Sequence, residues 1–273
     1  MNSRNSMHWA GLACAAAIAL GACGTTTQQG AVGVNRSQLL MVSSEEMNQG
    51  ARQEYAKILQ GGAQQGALNR DPAQTQRVRQ IAQRLIPHTG VFRSDAPGWQ
   101  WEVNVLSSKD VNAWCMPGGK IAVYTALIER LSITDDELAA VMGHEIAHAL
   151  REHSRERASQ MKASQTAVAI GAAVLGVGQT GASLGNMVAQ VTFNLPNSRL
   201  QETEADRIGV ELAARGGYDP HAAISLWEKM AKLSGGGSGP GFLSTHPSPD
   251  SRMKDLTEYA AKVMPLYEQS RKR

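Results

Sequence analysis

The chain has 273 residues, 42% of them hydrophobic, with a formal net charge of +3, enough for a sizeable core in one domain plus a removable leader. A nucleic-acid surface needs a basic stripe, and no Lys/Arg run precedes the Arg271-Lys272-Arg273 tail, so nucleic acid is excluded as a partner. Aromatics make up only 5%, and the wealth of Ala, Gly, Met and Leu favours helices packed through small side chains.

Residues 1–22 read as a lipoprotein signal peptide. Arg4 supplies the positive start, and residues 10–20 form an apolar stretch too short to span a bilayer. It ends in Leu20-Gly21-Ala22-Cys23, which resembles a bacterial lipobox, with cleavage before Cys23 and acylation of its thiol. Gly24, rather than Asp, follows the cysteine; the expected address is the periplasmic face of the outer membrane, lipid-anchored. Residues 23–36, rich in Thr, Gln and Gly, read as a lipidated flexible tether. Residues 37–273 form the folded domain. Cys14 leaves with the leader and Cys23 carries lipid, so Cys115 stands alone and no internal disulfide forms.

Residues 44–59 and 72–86 have helical spacing, separated by Gly61-Gly62 and by Asn69-Arg70-Asp71-Pro72. Residues 101–106 alternate as a half-buried strand. Residues 112–116 and 120–124 read as two further strands joined by a Pro117-Gly118-Gly119 turn. Thr134-Asp135-Asp136-Glu137 matches a capping box, so a helix starts there and runs through Leu150. A second helix begins near Glu152. Residues 166–177 read as a buried helix, a membrane contact or a flap, and residues 176–185 as a flexible loop. Residues 198–215 and 221–233 are predicted helices, 235–241 is a glycine-rich loop, and 249–268 is a last helix interrupted near Pro265. The fold class is α+β, mainly helical, with a small sheet before the central helix.

His144-Glu145-Ile146-Ala147-His148 lies on that capped helix. Residues four apart differ by about 40° in azimuth, so both imidazoles face one point, as two ligands of a tetrahedral zinc must. Glu145 stands beside the metal and is placed to accept a proton from water. Glu202 and Asp206 share one face of a later helix. Glu202 supplies the third ligand, and Asp206 receives a hydrogen bond from a ligand imidazole. Glu204 points elsewhere, while Ala205 and Gly209 let this helix pack closely against the first. His8, His88, His153 and His221 read as inert; His153 is about 140° around the helix from His148. One Zn2+ per chain is expected.

HEIAHAL followed by ETEAD resembles the gluzincin-type membrane-associated metallopeptidases, the family of HtpX and the CAAX prenyl proteases, and within it the small periplasmic branch of the BepA and LoiP kind. Asn112-Ala113-Trp114-Cys115-Met116-Pro117-Gly118-Gly119 resembles the family's strand pair ahead of the metal helix, with Trp114 and Cys115 departing mildly from it. Thr245-His246-Pro247-Ser248-Pro249 with Arg252 resembles a further family segment. The resemblance implies a zincin-like fold and an endopeptidase of misfolded or unassembled envelope proteins. It makes Asn112, Ala113, Trp114 and Cys115 a sheet edge that pairs with extended substrate. It places His246 near the metal, either stabilising the oxyanion or occupying the open position. Arg252 then stabilises charge or buttresses its loop. Polypeptide substrates, a membrane reached through the lipid, and envelope assembly proteins are the implied partners. The rival reading is a zinc-stabilised periplasmic chaperone or assembly factor with little proteolysis.

Overall fold

A computed structural model describes residues 23–175, 183–234, 241–246 and 250–272. The leader, most of both glycine-rich loops and Pro247–Pro249 lie outside the described residues. The fold is α+β, with helices around a three-stranded sheet.

The N-terminal arm is not a flexible tether. Strand β1 (Cys23–Gly24) pairs antiparallel with β2 (Gln38–Leu39), and the stretch between them folds back onto the domain. Val32 and Val34 are 1% and 5% exposed, in the main core. The Val32 N–H donates to the Glu211 carboxylate at 3.0 Å. Burial of these two apolar side chains outweighs the polar composition on which the tether expectation rested. Gly30 permits the turn: its φ is +59°, and a Cβ there would meet the Phe92 ring at 2.4 Å.

Helix α1 (Ser44–Gln64) begins with a Ser43–Glu46 capping box and runs through Gly61 and Gly62, past the predicted break. Helix α2 (Pro72–Leu85) is capped by Asp71, with proline in its first turn. The sheet contains β3 (Glu102–Leu106), β4 (Ala113–Met116) and β5 (Lys120–Tyr124) in the order β3-β5-β4. Strand β5 pairs parallel with β3 and antiparallel with β4, and β4 forms an edge. Gly118 and Gly119, at φ +76° and +82°, make the β4–β5 turn. The alternation expected for β3 fails at Asn104, which is buried and donates to the Tyr55 hydroxyl at 3.0 Å. Apolar residues cover both faces of β3: Val105 belongs to the main core and Leu106 to a second cluster with Tyr55 and Trp114.

After α3 (Thr125–Leu131) comes α4 (Asp135–Leu150), with the predicted Thr134–Glu137 capping box and every residue from Glu137 to Leu150 buried. Glu152, at φ +50°, breaks the chain before α5 (His153–Leu175). Helix α6 (Leu184–Ala189) continues into a π-turn (Gln190–Asn194), so Leu184 and Gly185 are helical and not loop. Helix α7 (Arg199–Arg215) is capped by Ser198. Helices α8 (Ala222–Ser234), α9 (Gly241–Thr245) and α10 (Asp250–Ser270) follow, and α10 carries Pro265 without the predicted interruption. Among the described residues no helix is long and apolar enough to cross a membrane.

Helices α4 and α7 cross in backbone contact. A Cβ on Gly143 would lie 2.8 Å from the Gly209 carbonyl oxygen. Two glycines therefore bring the middle of α7 down onto the middle of α4, beside His144.

Candidate metal centre and active site

Helix α4 presents His144 and His148 with their Nε2 atoms 3.0 Å apart. Helix α7 places Glu202 Oε2 at 3.5 Å from His144 Nε2, and Oε1 at 3.3 Å from His148 Nε2. His246, just after α9, closes the group. One donor atom from each of these four residues lies within 4.8 Å of the others, and all four residues are buried.

The surrounding partners fix the ring protons. Asp206 Oδ1 lies 3.0 Å from His144 Nδ1, and a carboxylate only accepts, so His144 Nδ1 carries the hydrogen and Nε2 is bare. Glu204 Oε2 lies 3.0 Å from His153 Nε2, so that nitrogen donates and His153 Nδ1 is bare. The bare His153 Nδ1 then accepts from His148 Nδ1 at 2.7 Å, leaving His148 Nε2 bare as well. His246 Nδ1 lies 3.1 Å from the Phe242 carbonyl oxygen, so its Nε2 is also a lone pair. Burial pushes His148 and His246 well below the usual histidine range; the neighbouring imidazoles act in the same direction, while the Glu202 charge opposes the shift at His246.

Neither oxygen of the fully buried Glu202 receives a hydrogen bond. Arg252 Nη1 stands 2.7 Å from Oε2 as an ion pair. Three imidazole nitrogens and the Glu202 carboxylate converge on one point, with the Arg252 guanidinium paired to that carboxylate, and a metal ion at that point would satisfy all four donors at once. Nitrogen and oxygen donors in this number suit tetrahedral zinc, and the residues present fit one zinc ion.

Arg252 holds the carboxylates in place. It donates to Asp206 through Nε and Nη2, both at 2.7 Å, and its guanidinium stacks 4.0 Å over Trp227. Burial alone would raise Asp206, but the Arg252 charge and the His144 hydrogen bond hold it below its ordinary value.

Glu145 is 4% exposed. Burial first, and the Glu202 charge second, raise its pKa well above the usual range, while the Cys115 backbone N–H hydrogen-bonds it. Its Oε1 has no hydrogen-bond partner and lies 3.4 Å from His246 Nε2. The donor group opens onto a cavity of about 280 Å³ lined by β4, Glu145, His148, Phe193 and His246.

Along β4 the side chains of Ala113, Trp114 and Cys115 are buried. Trp114 packs edge-on against Tyr55 and Phe193, and burial pushes the Cys115 thiol up. What this strand can offer a partner is its backbone edge. Asn112 accepts from the Tyr124 N–H through its carbonyl, and its side chain accepts from the Ala113 N–H at 2.9 Å.

Sequence reasoning set His153 aside, and that is corrected: it is fully buried against His148. An angle of about 140° holds only along one continuous helix, and the left-handed Glu152 restarts the geometry. Glu204 lies outside the donor cluster and binds His153, Arg151 and Arg36. Arg157 was also missed. Its Nε donates to the Val191 carbonyl at 3.0 Å, and Nη1 to Asn197, fastening the π-turn that walls the cavity. A buried arginine at helical spacing from His153 was the available signal.

Two helix-borne histidines, the glutamate between them and a glutamate from a second helix define a gluzincin-type metal centre. The chain belongs to peptidase family M48, whose profile matches residues 72–260. It is 35% identical over 183 residues to the mitochondrial metalloendopeptidase OMA1 of Schizosaccharomyces pombe, covering 67% of this chain and 52% of that one. Against OMA1 of Arabidopsis thaliana the identity is 40% over 165 residues, covering 60% and 33%. Against the beta-barrel assembly-enhancing protease of Escherichia coli it is 29% over 228 residues, covering 79% and 44%. The chain thus spans about half or less of the length of these relatives.

Proposed function

We propose that this protein is a zinc-dependent endopeptidase that hydrolyses peptide bonds of misfolded or unassembled cell-envelope proteins. The observation that carries the reading is the convergence of donor atoms from His144, His148 and Glu202 beside a Glu145 oxygen that has no hydrogen-bond partner. Bound zinc supplies Lewis acidity to water and to the scissile carbonyl. Glu145 takes the proton of the attacking water and delivers it to the leaving amine. Asp206 keeps His144 in the right tautomer, and Arg252 holds Asp206 and Glu202 in place. The β4 edge at residues 112–115 pairs with the extended substrate backbone, a sequence-tolerant mode of binding.

His246 commits its Nδ1 hydrogen to Phe242, so its bare Nε2 suits the fourth metal position better than donation to an oxyanion. In this arrangement it keeps the site closed until substrate displaces it. That closure favours the second reading, a zinc-stabilised chaperone or assembly factor with little proteolysis.

Cys23 is exposed, as an acylated residue must be. The lipobox supports a lipid anchor on the periplasmic face of the outer membrane, and the assembly-enhancing relative supports envelope substrates. Mitochondrial relatives carry the same domain, so the address rests on the leader and not on the fold.

The experiment is Glu145→Gln in the zinc-loaded full chain. Cleavage of an unfolded polypeptide should fall by about 10²–10⁴ while stoichiometric zinc is retained. Zinc-replete wild-type protein that cleaves no unfolded polypeptide would sink the peptidase and leave the chaperone.

A further inference from the structure

The two metal-facing histidines are supported unequally. His144 meets a carboxylate directly. His148 Nδ1 reaches one only through a second imidazole, His153, and that carboxylate, Glu204, is tied to the N-terminal arm. Arg36 of the arm donates to Glu204 through Nε at 2.9 Å and to Glu156 through Nη1 at 2.6 Å. Arg151 is 0% exposed. It donates to Glu204, to the Arg36 carbonyl at 3.0 Å, and to the hydroxyls of Thr25 and Thr27 at 3.1 and 3.2 Å.

We propose that Arg36, Arg151, Glu204 and His153 form a positioning relay through which docking of the N-terminal arm sets the tautomer and orientation of His148, and so the zinc affinity of the site. The inference rests on the metal-site reading above. Each link has one allowed direction. The Arg36 and Arg151 guanidiniums fix Glu204 as an acceptor, which assigns the His153 hydrogen to Nε2, and this in turn assigns the His148 hydrogen to Nδ1. Without the arm, Glu204 loses one of its two guanidinium partners, and Arg151 loses every acceptor except Glu204 among those named. None of these residues touches the donor cluster except through His153.

The test uses the full chain and two readouts independent of proteolysis: zinc affinity by competition with a chromophoric chelator, and ¹⁵N–¹H spectra of the imidazoles. His153→Leu removes the acceptor for His148 and should weaken zinc binding by about 10–100-fold. His153→Gln, whose amide oxygen can accept the same hydrogen, should recover most of that loss. Arg36→Met, at a side chain 28% exposed, should weaken zinc in the same direction and shift the His148 nitrogens. If Arg36→Met leaves both readouts at wild-type values, the coupling to the arm is wrong, and this variant decides the matter if His153→Leu does not fold. With or without zinc, wild-type spectra must show His148 protonated at Nδ1 and His153 at Nε2. The opposite tautomers overturn the relay. Failure of wild-type protein to bind zinc while showing these tautomers overturns the metal-site reading instead.

Discussion

Gly143 on α4 and Gly209 on α7 touch backbone to backbone: a Cβ on Gly209 would lie 2.8 Å from the His144 amide nitrogen. This contact sets the distance between the two helices, and hence between Glu202 and the histidines. Gly209→Ala should push the helices apart, destabilising the protein by about 1–3 kcal/mol and weakening zinc binding. Urea unfolding together with zinc titration checks both, and an Ala variant with wild-type zinc affinity would show that the crossing does not set the site.

Arg252 lies between two buried carboxylates. Arg252→Met removes the cation and leaves Glu202 and Asp206 facing each other uncompensated. A cost of about 3–5 kcal/mol is expected for breaking such a buried pair. It should be largest in zinc-free protein, where no metal charge substitutes for the guanidinium. Denaturant midpoints with and without zinc measure the difference; equal losses in both would contradict it.

Chelation removes the cation from four facing donors. Zinc at about 1,000 times its Kd should stabilise the folded state by about 4 kcal/mol. A thermal melt in chelator against one in excess zinc reads this directly. Coincident melts would mean that folding is not coupled to this site.

Glu156 ties the arm to α5. Burial opposes its ionisation, but hydrogen bonds from Arg36, Gln201 and Gln38 prevail and lower its pKa below 4.5. A carboxyl lowered in the folded state contributes stability that is present above 4.5 and lost as pH falls through the folded value. Glu156→Gln should therefore cost about 1–3 kcal/mol at neutral pH. The gap to wild type should narrow as pH drops below 4.5. Urea unfolding across that range decides it, and a gap that stayed constant would sink the assignment.

The sequence by itself determined the local features. Helical spacing put His144 and His148 on one side of α4, the Thr134–Glu137 box set where that helix begins, and Pro117-Gly118-Gly119 marked the turn that leaves β4 at the sheet edge. These depend on interactions within a few residues, which periodicity and turn chemistry record. Only the tertiary structure decided what required distant segments to meet. It placed Arg252 against Asp206, 46 residues away in the chain, and brought His246 to the donor cluster. It buried Val32 and Val34 in a stretch whose composition reads as a loose tether, and it turned His153 onto His148 through one left-handed residue at Glu152. Burial and a single backbone reversal leave no periodic trace in a sequence, because their energy comes from partners supplied by the rest of the fold.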